Sequence, residues 1–258
     1  MSDNETLLDS LEPEIAEKLI ARRDLISKNA LQLGALATVP LLLGGCAARL
    51  ISGGMPKQVV DVLNFALTLE YLESQFYTTG LKAPQLIPQR YRAVFEQISK
   101  HENAHVALLK TVLGFDAVAS PKFDYTAGGT FPDVFSNFQT FAALSQAFED
   151  TGVRAYKGQA GNLMGANFIL TTALQIHSVE ARHASEVRRL RGQKGWITGS
   201  SRGNLPAVTQ PIYDGEGQTV QLGIRPRGVS SARLTEAFDE PLSKSQVLEI
   251  ASLFIVSA

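Results

Sequence analysis

The sequence predicts an all-α fold: four long helices with a long crossover between the second and the third. Three observations carry that reading. Apolar residues recur at helical spacing in four stretches between Pro56 and Gly192. Gly-, Pro- and Asp-rich breaks separate these stretches, and the middle break is much the longest. The pair Glu-x-x-His occurs twice inside the stripes, as Glu102 with His105 and as Glu180 with His183. Residues i and i+3 of a helix project about 60° apart, so each pair sets a carboxylate and an imidazole on one side, where they can grip one ion. All four histidines, His101, His105, His177 and His183, lie in or beside these pairs, a clustering that chance scatter would rarely produce.

Composition excludes several classes of function. The 258 residues carry a net charge of −1 with scattered Lys and Arg, which argues against nucleic acid as a partner. The single cysteine, Cys46, rules out disulfides within the chain, four-cysteine zinc sites, a rubredoxin-like iron centre and a C-x-x-C-H haem attachment.

Residues 1–53 read as a separate segment. An acid-rich start leads to Arg22-Arg23-Asp24-Leu25-Ile26-Ser27-Lys28, and an uncharged run from Asn29 to Ala48 follows. Positive residues, an apolar stretch and small residues at its end form the three-part layout of an export signal. The paired arginines resemble a twin-arginine signal, whose cargo is exported already folded. Leu43-Gly44-Gly45-Cys46 resembles a lipoprotein cleavage box, with Gly44 a departure from the usual residue. The expectation is an exported protein of the periplasm or cell envelope, with membrane attachment through a lipidated Cys46. An uncleaved anchor is the competing reading of the same run.

The first helix is expected over about Pro56 to Thr79, with Gly80 just past its end. Its stripe runs through Val59, Leu63, Ala66 and Leu67 to Glu70 and then Tyr77, so Glu70 interrupts a face that should be buried; Glu73 is the alternative inward residue. A buried carboxylate needs a partner, and a metal is the simplest one. The second helix, about Pro88 to Leu113, carries Val94, Ile98, Glu102, His105, Leu109 and Leu113 on its stripe. His101 points roughly 100° away from Glu102, to the surface or to a position behind the ligands. Gly114 to Asp133 is the long crossover. The third helix is expected over about Val134 to Lys157, ended by Gly158, with Phe138, Phe141, Ala142, Ser145, Glu149 and Tyr156 inward. The fourth, about Asn162 to Arg191, turns Ile169, Ala173, Ile176, Glu180, His183, Val187 and Leu190 inward, with His177 either close behind the ligands or simply packed.

The two hairpins repeat one another. Tyr77 follows Glu70 by seven residues and Tyr156 follows Glu149 by seven, and in each hairpin a Glu-x-x-His comes next. Four helices bearing Glu, Glu-x-x-His, Glu and Glu-x-x-His bring four carboxylates and two imidazoles to one point. This pattern resembles the ferritin-like superfamily, in particular bacterial exported ferritin-like domain proteins, whose bundles hold two iron or two manganese ions. The bundle domain is taken as residues 54–192; the likeness covers about Pro56 to Gly192 and, more loosely, the C-terminal stretch Phe238 to Ile255, which resembles a tail segment of that group. It implies that Glu70, Glu102, His105, Glu149, Glu180 and His183 are metal ligands, with Glu102 and Glu180 bridging. Tyr77 and Tyr156 would then be the tyrosines such bundles keep beside the metals. Carboxylate and imidazole suit two Fe ions, or two Mn ions, better than metals that prefer soft ligands, and zinc also fits the donors.

Residues 193–258 form a C-terminal extension. It opens with a loop region holding a short strand-like piece, Thr219 to Ile224, and ends in a helix from Ser243, where Ser243 and Gln246 make a capping-box signal, to about Val256. The function the resemblance implies is an exported dimetal oxidoreductase that uses O2 or H2O2 with Fe(II) or an external reductant, in a bundle that also allows a homo-oligomer. The alternative is an envelope-associated structural or interaction protein that uses the bundle as a scaffold around a non-catalytic metal.

Overall fold

The computed structural model describes residues 54–256. The export segment and Cys46 lie outside the described residues. Four long helices make the body: α1 (Lys57–Lys82), α2 (Gln89–Leu113), α3 (Phe138–Ala160) and α4 (Asn167–Leu190). Short connections pair α1 with α2 and α3 with α4 as antiparallel hairpins, and each hairpin packs its two helices along most of their length. The crossover between the hairpins contains a 3-10 turn (Gly114–Asp116) and the two-residue strand β1 (Lys122–Phe123).

Local chemistry explains the helix starts. Pro56 and Pro88 stand at the N-caps of α1 and α2, where a missing N–H is no loss. Asn137 caps α3 by accepting from the Gln139 N–H at 3.0 Å. Two of the C-terminal ends of the long helices differ from the sequence expectation, for one reason. Gly80 and Gly158 do not stop their helices: α1 runs on to Lys82 and α3 to Ala160. Both glycines are places of close approach. A Cβ on Gly80 would sit 2.2 Å from the Phe141 ring, and one on Gly158 would sit 1.9 Å from the Leu242 backbone oxygen. Because α3 extends further, the turn into α4 moves on as well, through a 3-10 turn at Gly161–Leu163, and α4 starts at Asn167 rather than Asn162.

α2 and α4 are buried on one face, whereas α1 and α3 are buried nearly all round. The outer sides of α1 and α3 are covered by the crossover, through Tyr125, Phe131 and Val134, and by residues after Gly192, through Ile212, Tyr213, Leu242, Val247, Ile250 and Phe254. An aromatic core ties these layers together. Phe76 stacks on Phe141 at 4.7 Å between centroids and meets Phe148 edge-on at 5.1 Å. Fully burying a side chain of this size stabilises the fold by roughly 1.5–3 kcal/mol.

The C-terminal region is locked to α3 by buried charge. The guanidinium of Arg154, 1 % exposed, donates to the backbone oxygens of Glu240 at 2.7 Å and Asp214 at 2.9 Å, and to that of Ile212, and pairs with Glu216 at 2.8 Å. Asp150 accepts from Arg188 at 2.8 and 2.5 Å and from the Tyr213 hydroxyl at 2.7 Å. Two short helices follow, α5 (Ser231–Thr235) and α6 (Lys244–Ser252), the latter with a full capping box between Ser243 and Gln246. α6 ends earlier than expected because the chain turns to form β2 (Ile255–Val256), which pairs antiparallel with β1 and pins the C-terminal end to the crossover. Within the strand-like piece Thr219 to Ile224 a single bridge joins Gln221 to Ile224 around a tight turn.

Candidate metal centre

All four long helices contribute to one buried cluster. α1 supplies Glu70, α2 supplies Glu102 and His105, α3 supplies Glu149, and α4 supplies Glu180 and His183. The four carboxylates are 0 % exposed, His105 is 9 % exposed and His183 5 %. An uncompensated cluster of this kind is strongly disfavoured in a protein core, so the arrangement calls for cations.

The geometry falls into two sets that share two members. Nδ1 of His105 faces Glu102 at 3.1 Å, Glu180 at 3.1 Å and Glu70 at 3.2 Å. Nδ1 of His183 faces Glu102 at 2.9 Å, Glu149 at 3.3 Å and Glu180 at 3.6 Å. Glu102 turns Oε2 to His105 and Oε1 to His183, and Glu180 turns Oε1 to His105 and Oε2 to His183. Each set therefore offers three carboxylate oxygens and one imidazole nitrogen, all within 4.8 Å of one another.

The residues fit metal ions by a direct test. Glu102 Oε1, Glu149 Oε2, both oxygens of Glu180 and Nδ1 of His183 are buried without a hydrogen-bond partner among the described residues. Several orphaned acceptors converging on one spot match the need of a cation rather than that of a hydrogen-bond network. The protons present without metal support the same reading. Burial works to lower His105, but the carboxylates of Glu102, Glu180 and Glu70 that face it push it up to about 12. His183 is likewise lowered by burial and raised overall, by Glu149 and Glu102. Burial raises Glu180, yet the two histidines that face it hold it down at about 2. Burial carries Glu149 up to about 7 against the pull of His183, and it raises Glu102 well above the usual carboxylate range, helped by Glu180. Without metal, then, protons stand in for part of the cationic charge.

The two tyrosines exchange partners between the hairpins. Tyr77 of α1 donates to Glu149 of α3, and Tyr156 of α3 donates to Glu70 of α1. Both are buried, and burial followed by the neighbouring carboxylate pushes both hydroxyls well above the ordinary phenol range. They stay protonated donors that orient Glu149 and Glu70.

Residues 58–193 match the ferritin-like domain family over more than half of the chain. The chain belongs to that family. No curated protein matches the chain in sequence. The ferritin-like bundle and its buried Glu/His cluster are together compatible with a metal site.

Two more residues, Glu73 and His101, complete the surroundings of the ferritin-like cluster. Glu73, the alternative to Glu70 in the stripe, is buried together with it, at 3 % exposure. Its place depends on α3: Gly152, three residues after Glu149, leaves the space, and a Cβ there would be 3.3 Å from Glu73 Oε1. Burial, then Glu180 and Glu149, raise Glu73 well above the carboxylate range, so it holds its proton more tightly than an ordinary carboxyl. His101 reaches His183 from behind, Nδ1 to Nε2 at 2.8 Å. His177 is half buried with Nε2 unpartnered among the described residues, and none of its recorded contacts joins it to the cluster.

Proposed function

We propose that this ferritin-like protein is an exported dinuclear metalloprotein and an oxidoreductase that acts with O2 or H2O2. One observation carries the reading: Glu102 and Glu180 each divide their two oxygens between the two histidines, which supports two adjacent cation positions with shared walls. Glu70 and His105 would complete one position, Glu149 and His183 the other. Four carboxylates offset the charge of two divalent ions, and the donor set suits Fe or Mn. Two such ions, when bound, supply the electrons or electron holes for reaction with O2 or H2O2, in ferroxidase, peroxidase or catalase-like chemistry.

The chain's own residues have defined tasks in this reading. Glu102 and Glu180 hold the two positions at a fixed separation. Tyr77 and Tyr156 keep their protons and hold the terminal carboxylates Glu149 and Glu70 in place. Phe76, Phe95, Phe141 and Phe148 form a packed apolar floor on the Tyr77 side of the cluster that excludes bulk water. Burial and the charges of Glu180 and Glu149 favour the protonated form of Glu73. The Arg22-Arg23 motif, the uncharged run after it and Cys46 support delivery to the periplasm or envelope with a lipid anchor.

The experiment is reconstitution of purified protein with Fe(II) or Mn(II), followed by metal analysis and by absorption spectra on adding O2 or H2O2. The reading requires bound metal and a spectral change with turnover of the oxidant. It is lost if no metal binds, or if Glu102→Ala with Glu180→Ala leaves binding intact. The complete burial of the four carboxylates favours one second reading, an envelope scaffold whose metal only holds the bundle together. That reading requires metal to raise the melting temperature while neither O2 nor H2O2 is consumed.

A further inference from the structure

The two halves of the cluster are unequal, and the difference lies behind the ligands. His183 turns Nδ1 to Glu102, Glu149 and Glu180, and its other nitrogen, Nε2, meets Nδ1 of His101 at 2.8 Å. The two rings lie nearly parallel, with centroids 5.1 Å apart and planes 13° from each other. Nε2 of His101 in turn lies 2.7 Å from the side-chain amide of Gln97, one turn earlier on α2. Gln97 is exposed and His101 partly so, and the chain of contacts therefore runs from His183 to the surface. His105 has no counterpart: among the described residues its recorded polar contacts are the carboxylates at Nδ1. The repeat shows why. The residue before Glu102 is His101, whereas the residue before Glu180 is Val179, whose side chain cannot hydrogen-bond.

A neutral histidine that ligates through Nδ1 carries its hydrogen on Nε2 and needs an acceptor there to fix the tautomer and the ring angle. His101 Nδ1 is placed to be that acceptor. Its own hydrogen then sits on Nε2, directed at Gln97 with the amide turned to offer its oxygen. Resting on the reading of the cluster as a two-ion centre, we propose that His101 is a positioning residue for the ion on the His183 side alone. The two ion positions thus differ in affinity, and only one of them has a second imidazole behind its ligating histidine.

The test is a Co(II) titration of the purified full-length protein, followed by absorption and calorimetry, comparing wild type with His101→Leu and His101→Asn. The melting temperature of each metal-free protein is measured alongside. Asn offers an oxygen close to the place of Nδ1, whereas Leu fills similar space and offers none. Wild type is expected to bind two Co(II) ions. His101→Leu should weaken one of the two by about 10–100-fold and alter the absorption of that ion only, beyond any fall in the metal-free melting temperature, which would weigh on both ions alike. His101→Asn should bind both ions near the wild-type values. Unaltered binding of both ions in His101→Leu overturns the assignment and leaves the two-ion centre standing. Equal weakening of both ions with a lowered melting temperature overturns it too, since that is the mark of a merely structural residue. A wild-type protein that takes up no Co(II) overturns the two-ion reading itself, and this inference with it.

Discussion

Tyr77 on α1 donates its hydroxyl hydrogen to Glu149 on α3, the helix of the other hairpin. Tyr156 on α3 returns the favour to Glu70 on α1. The exchange ties the hairpins together through the centre of the cluster, where a lost donor leaves a buried carboxylate oxygen unsatisfied. Tyr77→Phe is therefore expected to lower metal-free stability by about 1–3 kcal/mol. Urea denaturation with chelator present checks it, and an unchanged midpoint would show that the bond contributes nothing.

Stability of the metal-free chain should fall as pH rises. Glu149 is carried by burial from 4.5 up to about 7, and His105, despite burial, is raised from 6.5 to about 12 by its carboxylate partners. A group that holds its proton more tightly folded than unfolded makes stability decline as pH rises between its two values. Glu149 acts in this way from 4.5 to about 7 and His105 from 6.5 to about 12. Glu180, lowered to about 2, acts in the opposite sense but only below 4.5. The melting temperature in chelator should drop steadily from about pH 5 to about pH 9. A flat or rising curve over that range would contradict the proton inventory of the cluster.

Gly158→Ala gives a prediction of sign. By helix propensity the change should stabilise a helix interior by about 1 kcal/mol. Here the new Cβ would meet the Leu242 backbone oxygen at 1.9 Å, and that backbone cannot move aside without loosening the Arg154–Leu242 contact. The substitution should instead destabilise by about 1–3 kcal/mol. Gly80→Ala should destabilise as well, through the Phe141 ring. A gain in melting temperature for either would refute the close-approach account.

Glu73→Gln separates a neighbour of the metals from a ligand. The amide keeps the shape and removes a carboxyl whose ionisation is opposed by burial and by Glu180. At about pH 8 the metal-free variant should melt above wild type, and it should still bind two ions. Loss of one ion would make Glu73 a ligand.

Much of this was legible in the sequence because the inward positions obey two simple rules at once. The apolar stripes set the helix faces, and the repeat of Glu, Tyr and Glu-x-x-His shows which polar residues share those faces. What remained hidden depends on contacts between helices. Gly80 and Gly158 look like helix stops until Phe141 and Leu242 are seen beside them. The choice between Glu70 and Glu73 had no answer within α1, because both are buried once Gly152 on α3 makes room. His101 could have been singled out by asking where the repeat fails, at His101 against Val179. That it faces His183 rather than solvent is a fact of how α2 packs on α4.

The most direct measurement is the metal content of the full-length protein after loading with Fe(II) or Mn(II) and removal of excess metal, for wild type and for the Glu102→Ala, Glu180→Ala double variant. The account predicts two ions per chain in wild type and none retained in the double variant. One ion or none in wild type, or two ions in the variant, would contradict it.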